Sequence, residues 1–183
     1  MEHVPTARAI PRRGRGTAPA DETVEPPVAD WAQVEQALRA GDTWPFWLSV
    51  VREDRSPHVR PVFGAWAGAS FFIASKATAA KTAHLQRHPD ASIGVALEAL
   101  HLVVEGRASR VTDPDTLARA SEAMREVFDW PTRVDGDELD ADYGAPTSGG
   151  PPYRVFELVP RTAYAFPTAD QVQPTRWSFP RAT

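Results

Sequence analysis

FWLSVVREDRSPHVRPVFGAWAGASFFIAS, residues 46–75, alternates extended runs with turn-forming clusters, and its reading decides the fold. Residues 46–52 mix aromatic and β-branched side chains and read as a strand. Residues 53–57 supply Asp, Ser and Pro for a turn, and the chain returns as a second strand over 58–63. Pro61 lies inside that return. Proline has no N–H for a ladder, so this strand belongs at a sheet edge or a bulge. Residues 64–68, from Gly64 to Gly68, read as a second turn, and 69–75 as a third strand. Turn signals roughly 8–12 residues apart mark a small antiparallel β domain.

Working outward, residues 77–88 favour a helix with Lys81, Leu85 and His88 near one stripe, and Pro89 ends it. Strands are expected over 91–97 and 102–111. Asp113-Pro114 is an N-cap followed by proline at the first helical position, opening a helix whose apolar face is Leu117, Met124 and Phe128. Residues 129–152 read as a loop rich in Asp, Gly and Pro. Residues 153–166 read as a bent strand broken at Pro160, and 175–179 close the chain. Before the opening strand, Asp30-Trp31-Ala32-Gln33 resembles a capping box, with Trp31, Val34 and Leu38 at helical spacing until Gly41. Residues 1–28 hold Pro, Gly, Arg and Glu with almost no periodic apolar content, and read as a disordered N-terminal tail ahead of one domain over 29–183. The fold class is therefore mainly β (α+β): five or six strands in a small antiparallel barrel with peripheral helices, rather than a βαβ sheet.

Composition narrows the function. The 183 residues are 42% hydrophobic and 24% charged, the size and balance of one globular domain. Lys and Arg number 20 against 24 Asp and Glu, a net charge of −4, which is the wrong sign for a dedicated nucleic-acid binder. Absence of cysteine excludes disulfides, thiolate nucleophiles and Cys-based zinc sites. No run reaches 18 apolar residues, so no membrane partner is expected, and no apolar segment follows Met1, so the expected location is cytoplasmic.

The standard catalytic sets are missing. There is no GxSxG elbow and no P-loop, and Gly14-Arg15-Gly16 sits in the tail with no strand before it. His84 and His88 are four apart but lack a third ligand and the metalloprotease Glu, and no metal is expected. Asp135, Asp137, Glu138, Asp140 and Asp142 lack the spacing of a calcium loop. What remains is a set of cations around a helix start. Arg60-Pro61-Val62 ends the second strand, Ala74-Ser75-Lys76 ends the third, and Lys81 lies in the first turns of the next helix. Backbone N–H groups, the helix dipole and two cations would suit a phosphate. Arg and Lys at a strand edge are also commonly no more than solvated, so the residues alone leave both readings open. His58, beside Arg60, has nothing in its sequence setting that makes it an acid–base candidate.

The order FWLSVV (46–51), PHVRPVFGAW (57–66), ASFFIASKATAAKTAHLQRHPDASIGVAL (69–97), LVVEGRASRV (102–111), YRVFELVPRTAYAF (153–166) and PTRWSF (174–179) resembles the flavin-binding split-barrel superfamily. This is the pyridoxamine 5′-phosphate oxidase-like group, which includes coenzyme F420-dependent reductases. The resemblance covers about residues 30–180. It is most specific in RPV, the strand–SxxxxxK–helix–HP unit, VEGRA and TRWSF, with YGAPT (143–147) and PPY (151–153) adding to it.

The resemblance implies a homodimer of six-stranded split barrels with cofactor bound at the subunit interface, and a flavin- or deazaflavin-dependent oxidoreductase moving a hydride between F420 or FMN and a small conjugated substrate. It implies that Arg60 reaches the cofactor phosphate and that Pro61 and Val62 edge the ring. Ala74 and Ser75 would line the ring or its side chain, Lys81 would hold the phosphate, and Arg176 and Trp177 would approach from the partner chain. Trp177 could equally pack its own barrel, and Trp44, Trp47 and Trp66 could wall a planar pocket or fill a core. The resemblance leaves no particular side chain as acid or base. Many members have Ser-Arg-Lys where this chain has Ala79-Ala80-Lys81, so a hydroxyl and a cation are missing. Fewer cations suit the singly charged phosphodiester of F420 slightly better than the nearly dianionic FMN phosphate. The chain end lacks the Arg/His pattern of true pyridoxamine 5′-phosphate oxidases, which makes that activity doubtful. A non-catalytic FMN- or haem-binding protein is the alternative.

Overall fold

The computed structural model describes residues 4–11, 25–40, 45–144 and 149–180. In chain order, β1 (Thr6–Ala9) precedes α1 (Trp31–Arg39), and four strands follow: β2 (Phe46–Val51), β3 (Pro57–Val62), β4 (Gly64–Ala67) and β5 (Ser70–Ser75). Then come α2 (Ala80–Arg87), β6 (Asp90–Ala96), β7 (Leu100–Val111) and α3 (Pro114–Phe128). The chain ends with β8 (Thr132–Asp135), β9 (Glu138–Ala141), β10 (Arg154–Pro167) and β11 (Thr175–Ser178). The main sheet runs β1-β11-β10-β7-β6-β2-β3, with β5 on β10 and β4 on β5, and every strand pairing in it is antiparallel.

β10 explains how this sheet divides. One of its edges pairs with β7 along its whole length, while the other is shared: Arg154–Leu158 pairs with β5, and residues 162–165 pair with β11. The changeover falls at Pro160, where the register against β7 shifts before Thr162. Proline cannot donate to a ladder and an extra residue bends a strand, so the chain turns from one half-sheet to the other here. Gly106 lies opposite Pro160; a Cβ on it would stand 2.2 Å from the Val159 carbonyl oxygen. The curled sheet encloses Phe46, Leu48, Phe71, Ile73, Leu158 and Trp177, closed at one side by Trp31 and Leu38 of α1. A second core forms where Leu117, Ala120 and Met124 of α3 cover Ala65, Phe72 and Val155.

Among the described residues the structure is mainly antiparallel β with three helices, in keeping with a split barrel, but it departs from the sequence reading in four respects. The main sheet has nine strands rather than six. Residues 64–67 are a strand and not a turn, because Ala65 and Trp66 are buried against β5; the reversal is confined to the tip, where Gly68 takes φ +66°. Residues 132–141 form a hairpin around Gly136 (φ +60°), with Thr132, Leu139 and Ala141 buried. Residues 6–9, assigned to the tail, pair with β11, and Ile10 donates to the Pro174 carbonyl. That strand is held by backbone hydrogen bonds with little side-chain burial, so its composition could not announce it. Residues 25–28 of the proposed tail also meet the domain, the Gln173 amide donating to the Pro27 carbonyl; residues 1–3 and 12–24 lie outside the described residues, as do Trp44 and residues 145–147 of YGAPT.

Candidate functional site

Strict alternation along β3 points His58, Arg60 and Val62 toward Val50, Leu48 and Phe46, and leaves Val59 and Pro61 on the outer face opposite Ser49 and Trp47. Val62 and His58 are buried, and Arg60 is exposed at the edge, its guanidinium donating to the Val59 carbonyl at 2.7 Å. His58 and Arg60 therefore share a face. The sequence reading gave His58 no role, although two residues apart on a regular strand is the signal that joins them.

After β5 the chain enters α2 through Ala79, an N-cap whose side chain offers no acceptor. The first N–H groups of α2 have no acceptor within the helix, so they remain available to an anion. Lys81 is half-buried on the first turn. Burial first, and then the Arg60 charge, push the Lys81 ammonium below its ordinary pKa. Among the described residues no carboxylate pairs with Lys81 or Arg60. Two cations within reach of one another, one partly desolvated and neither compensated, are costly unless an anion joins them. This fits a phosphate group.

Lys76 is the contrasting case. Its ammonium donates to the Gly150 carbonyl at 2.5 Å and the Pro151 carbonyl at 3.1 Å and lies over the Tyr153 ring, so it ties the 149–152 loop to the sheet. Ala74 is half-buried, and Ser75 is fully buried. The Thr82 hydroxyl lies 2.8 Å from Ser75 Oγ and 2.7 Å from the Lys76 carbonyl oxygen. With one proton per hydroxyl, this pair satisfies itself and locks the start of α2 to the end of β5. Thr82→Val keeps the volume but leaves the buried Ser75 hydroxyl without its acceptor and the Lys76 carbonyl with only the Ala79 amide; it is expected to cost about 1–3 kcal/mol, read as a lower urea midpoint. An unchanged midpoint would show that the pair contributes nothing.

Behind Arg60 and Lys81 lie two further basic groups that sequence reasoning missed. The His58 and His84 rings are 5.1 Å apart and edge-on, and Arg52 Nη2 is 3.4 Å from His58 Nδ1. A guanidinium only donates, so Nδ1 accepts and the ring proton sits on Nε2. Burial, followed by the charges of Arg60, Arg52, His84 and Lys81, holds His58 below the ordinary histidine pKa.

Arg176 and Trp177 are not part of this cluster: along the sheet, β11 is separated from β3 by β10, β7, β6 and β2. Trp177 is completely buried in its own core, edge-on to Trp31 at 5.2 Å, with no hydrogen-bond partner for its indole N–H among the described residues. In this chain the indole packs its own barrel, one of the two placements its sequence left open. Arg176 faces the other way. It lines a groove of about 720 Å³ on the outer face, with Arg107, Arg161, Ser109, Thr162 and Ser178. Two smaller grooves, of about 460 and 360 Å³, lie on the same outer face, the last walled by Trp47 and Gly94. Neither Arg60 nor Lys81 lines any of these three. Trp66 belongs to the core, donating to Glu35 at 3.0 Å. Among the described residues no three His, Asp or Glu side chains gather as a metal site, and no helix is long and apolar enough to cross a membrane.

This antiparallel fold places Arg60 at a strand edge and Lys81 at a helix start. The chain belongs to the family described as "Pyridoxamine 5′-phosphate oxidase", which matches residues 33–166. No curated protein matches it. Among solved structures it is similar to a conserved hypothetical protein from Mycobacterium tuberculosis (16% identity, 82% of this chain and 92% of that one, TM-score 0.60). It is also similar to a candidate 5-nitroimidazole antibiotic resistance protein from Bacteroides thetaiotaomicron (13% identity, 83% and 87%, TM-score 0.56). A third is a heme binding protein from Mycobacterium smegmatis (16% identity, 75% and 54%, TM-score 0.54). At these identities the likeness is one of fold.

Proposed function

We propose that this protein is a cytoplasmic flavin- or deazaflavin-dependent oxidoreductase, transferring a hydride between FMN or F420 and a small conjugated substrate at the interface of a homodimer. The observation that carries this reading is the uncompensated Arg60–Lys81 pair at the start of α2, with Lys81 partly withdrawn from water. Arg60 and Lys81 hold the phosphate, together with the first N–H groups of α2. Pro61 and Val62 form the edge against which the ring lies, and Ala74 allows its close approach beside Ser75. When bound, the cofactor supplies the hydride chemistry; the chain supplies orientation and exclusion of water.

The dimer reading is supported by the outer face, where Trp47 (49% exposed), Phe166 (45%) and Val59 (43%) are large apolar side chains left in solvent. Pro61 lies on that face, so a second copy covering it would bring its own Arg176 and the arginine-lined groove to the ring edge. Because Ala79 and Ala80 contribute neither a hydroxyl nor a cation, the balance leans slightly to F420. The alternative, a non-catalytic FMN- or haem-binding protein, is favoured by the likeness to the heme binding protein and by the His58–His84 pair.

Fluorescence titration of the purified protein with FMN and with F420, followed by turnover assays with conjugated acceptors, separates these readings. Micromolar or tighter binding with turnover is expected. Stoichiometric binding with no turnover, or haem binding with a Soret band, would favour the alternative. Failure of both cofactors to bind overturns the oxidoreductase reading.

A further inference from the structure

His58 is the least expected member of the site. It is a buried imidazole set among cations, an environment that disfavours its charged form. The groups that bear on it are Arg52 from just beyond β2, Arg60 on its own strand, and Lys81 and His84 from α2. The carboxylates of the β2–β3 turn are engaged elsewhere. Glu53 pairs with Arg87; Asp54 accepts from the Ser56 amide and hydroxyl and is in electrostatic reach of Arg52. The long Arg52 contact favours the Nε2–H form, so a proton taken up at Nδ1 displaces that guanidinium, which keeps its bond to Ser56 Oγ; the His84 ring lies edge-on, centroid to centroid at 5.1 Å.

Resting on the reading of Arg60 and Lys81 as a phosphate site, we propose that His58 and His84 form its proton-accepting second layer. A doubly charged phosphomonoester is then bound with uptake of a proton by this pair, whereas a singly charged phosphodiester is bound with much less. The physical reason is a weakening of the local field. Without ligand, the charged neighbours that bear on His58 are Arg60, Arg52 and Lys81; a dianion beside Arg60 and Lys81 cancels two of these charges, a monoanion only one, so the dianion makes an imidazolium markedly less unfavourable. The site can thus restore by protonation part of the positive charge that Ala79 and Ala80 do not supply. Thermodynamic linkage fixes the sign: a ligand that raises a histidine pKa must bind more tightly as pH falls through the window between the free and bound values. Charge on the ligand phosphate, rather than the shape of its ring, then sets the pH dependence of binding.

Histidine-resolved NMR across pH 5 to 8 on the full chain tests this, without ligand and with FMN, F420 or sulfate at saturation. Sulfate stays doubly charged throughout that range, so a response to it cannot come from protonation of the ligand. Addition of FMN or sulfate is expected to raise the titration of His58 by about one pH unit, equivalent to about tenfold in coupling. F420 is expected to raise it by less than half as much. In calorimetry, FMN binding at pH 7 takes up protons from buffers of different ionisation enthalpy, and the paired variants His58→Gln and His84→Gln lose that uptake. If FMN binds while neither histidine moves, or if FMN and F420 move them equally, the proton-accepting layer is overturned and the phosphate site stands. If none of the three anions binds, the phosphate site itself falls, and this inference with it.

Discussion

Replacing both Arg60 and Lys81 by alanine is expected to weaken FMN and F420 binding at least about a hundredfold, because each charge-assisted hydrogen bond to a phosphate contributes roughly 1.5–3 kcal/mol. The two contributions are unequal. Arg60 is exposed and its bond to the ligand is screened by water, so it belongs near the lower end of that range; half-buried Lys81 belongs nearer the upper end. Stability should move the other way or not at all. The two cations repel one another and have no carboxylate partner among the described residues, so removing them leaves no orphaned charge. The double variant should melt no lower than the parent while its fluorescence titration collapses. Retention of affinity within about threefold would show that the phosphate is held elsewhere, with the groove around Arg107 and Arg176 the next place to look.

Gly106→Ala should cost at least about 3 kcal/mol, above the usual range for overpacking, because nothing near it can give way. Its new Cβ would lie 2.2 Å from the Val159 carbonyl oxygen and 2.9 Å from the carbonyl carbon, both of them backbone. Relief requires parting β7 from β10 beside Pro160, where β10 passes from one half-sheet to the other. Gly94→Ala is the matched control. There the nearest atom to a Cβ is the Leu102 carbonyl oxygen at 4.0 Å, an ordinary contact. Urea unfolding of the two variants decides the matter: a Gly106→Ala midpoint close to that of Gly94→Ala would mean that the ladder shifts at no great cost.

The sequence was most readable where a residue's chemistry forces local geometry. Pro89 ends α2 after Arg87, and Asp113 caps α3 by accepting from the Thr116 amide at 2.9 Å. Pro61 placed β3 at the sheet edge, where it lies. Reading failed where tertiary contact overrides local signals. Gly64 and Gly68 suggested a turn, yet burial of Ala65 and Trp66 makes the residues between them a strand. Dense charge over 133–142 concealed a hairpin in which Arg133 pairs with Asp140 and Asp142. Of the proposed site, Arg60 and Lys81 were named from the motif, and the structure adds that Lys81 is half-buried and feels the charge of Arg60. Trp177 looked the same whether it packed a core or faced a ligand, because an indole serves either use and only topology chooses.

The pairing of β1 with β11 carries a different kind of consequence. β11 is four residues long and, without β1, would present a free row of amide and carbonyl groups on which another chain could template itself. Residues 6–9 cover that row and substitute an edge bearing Arg8, whose charge discourages stacking. The N-terminal arm thus works as a guard against misassembly, and trimming it would be felt first as aggregation, ahead of any loss of chemistry.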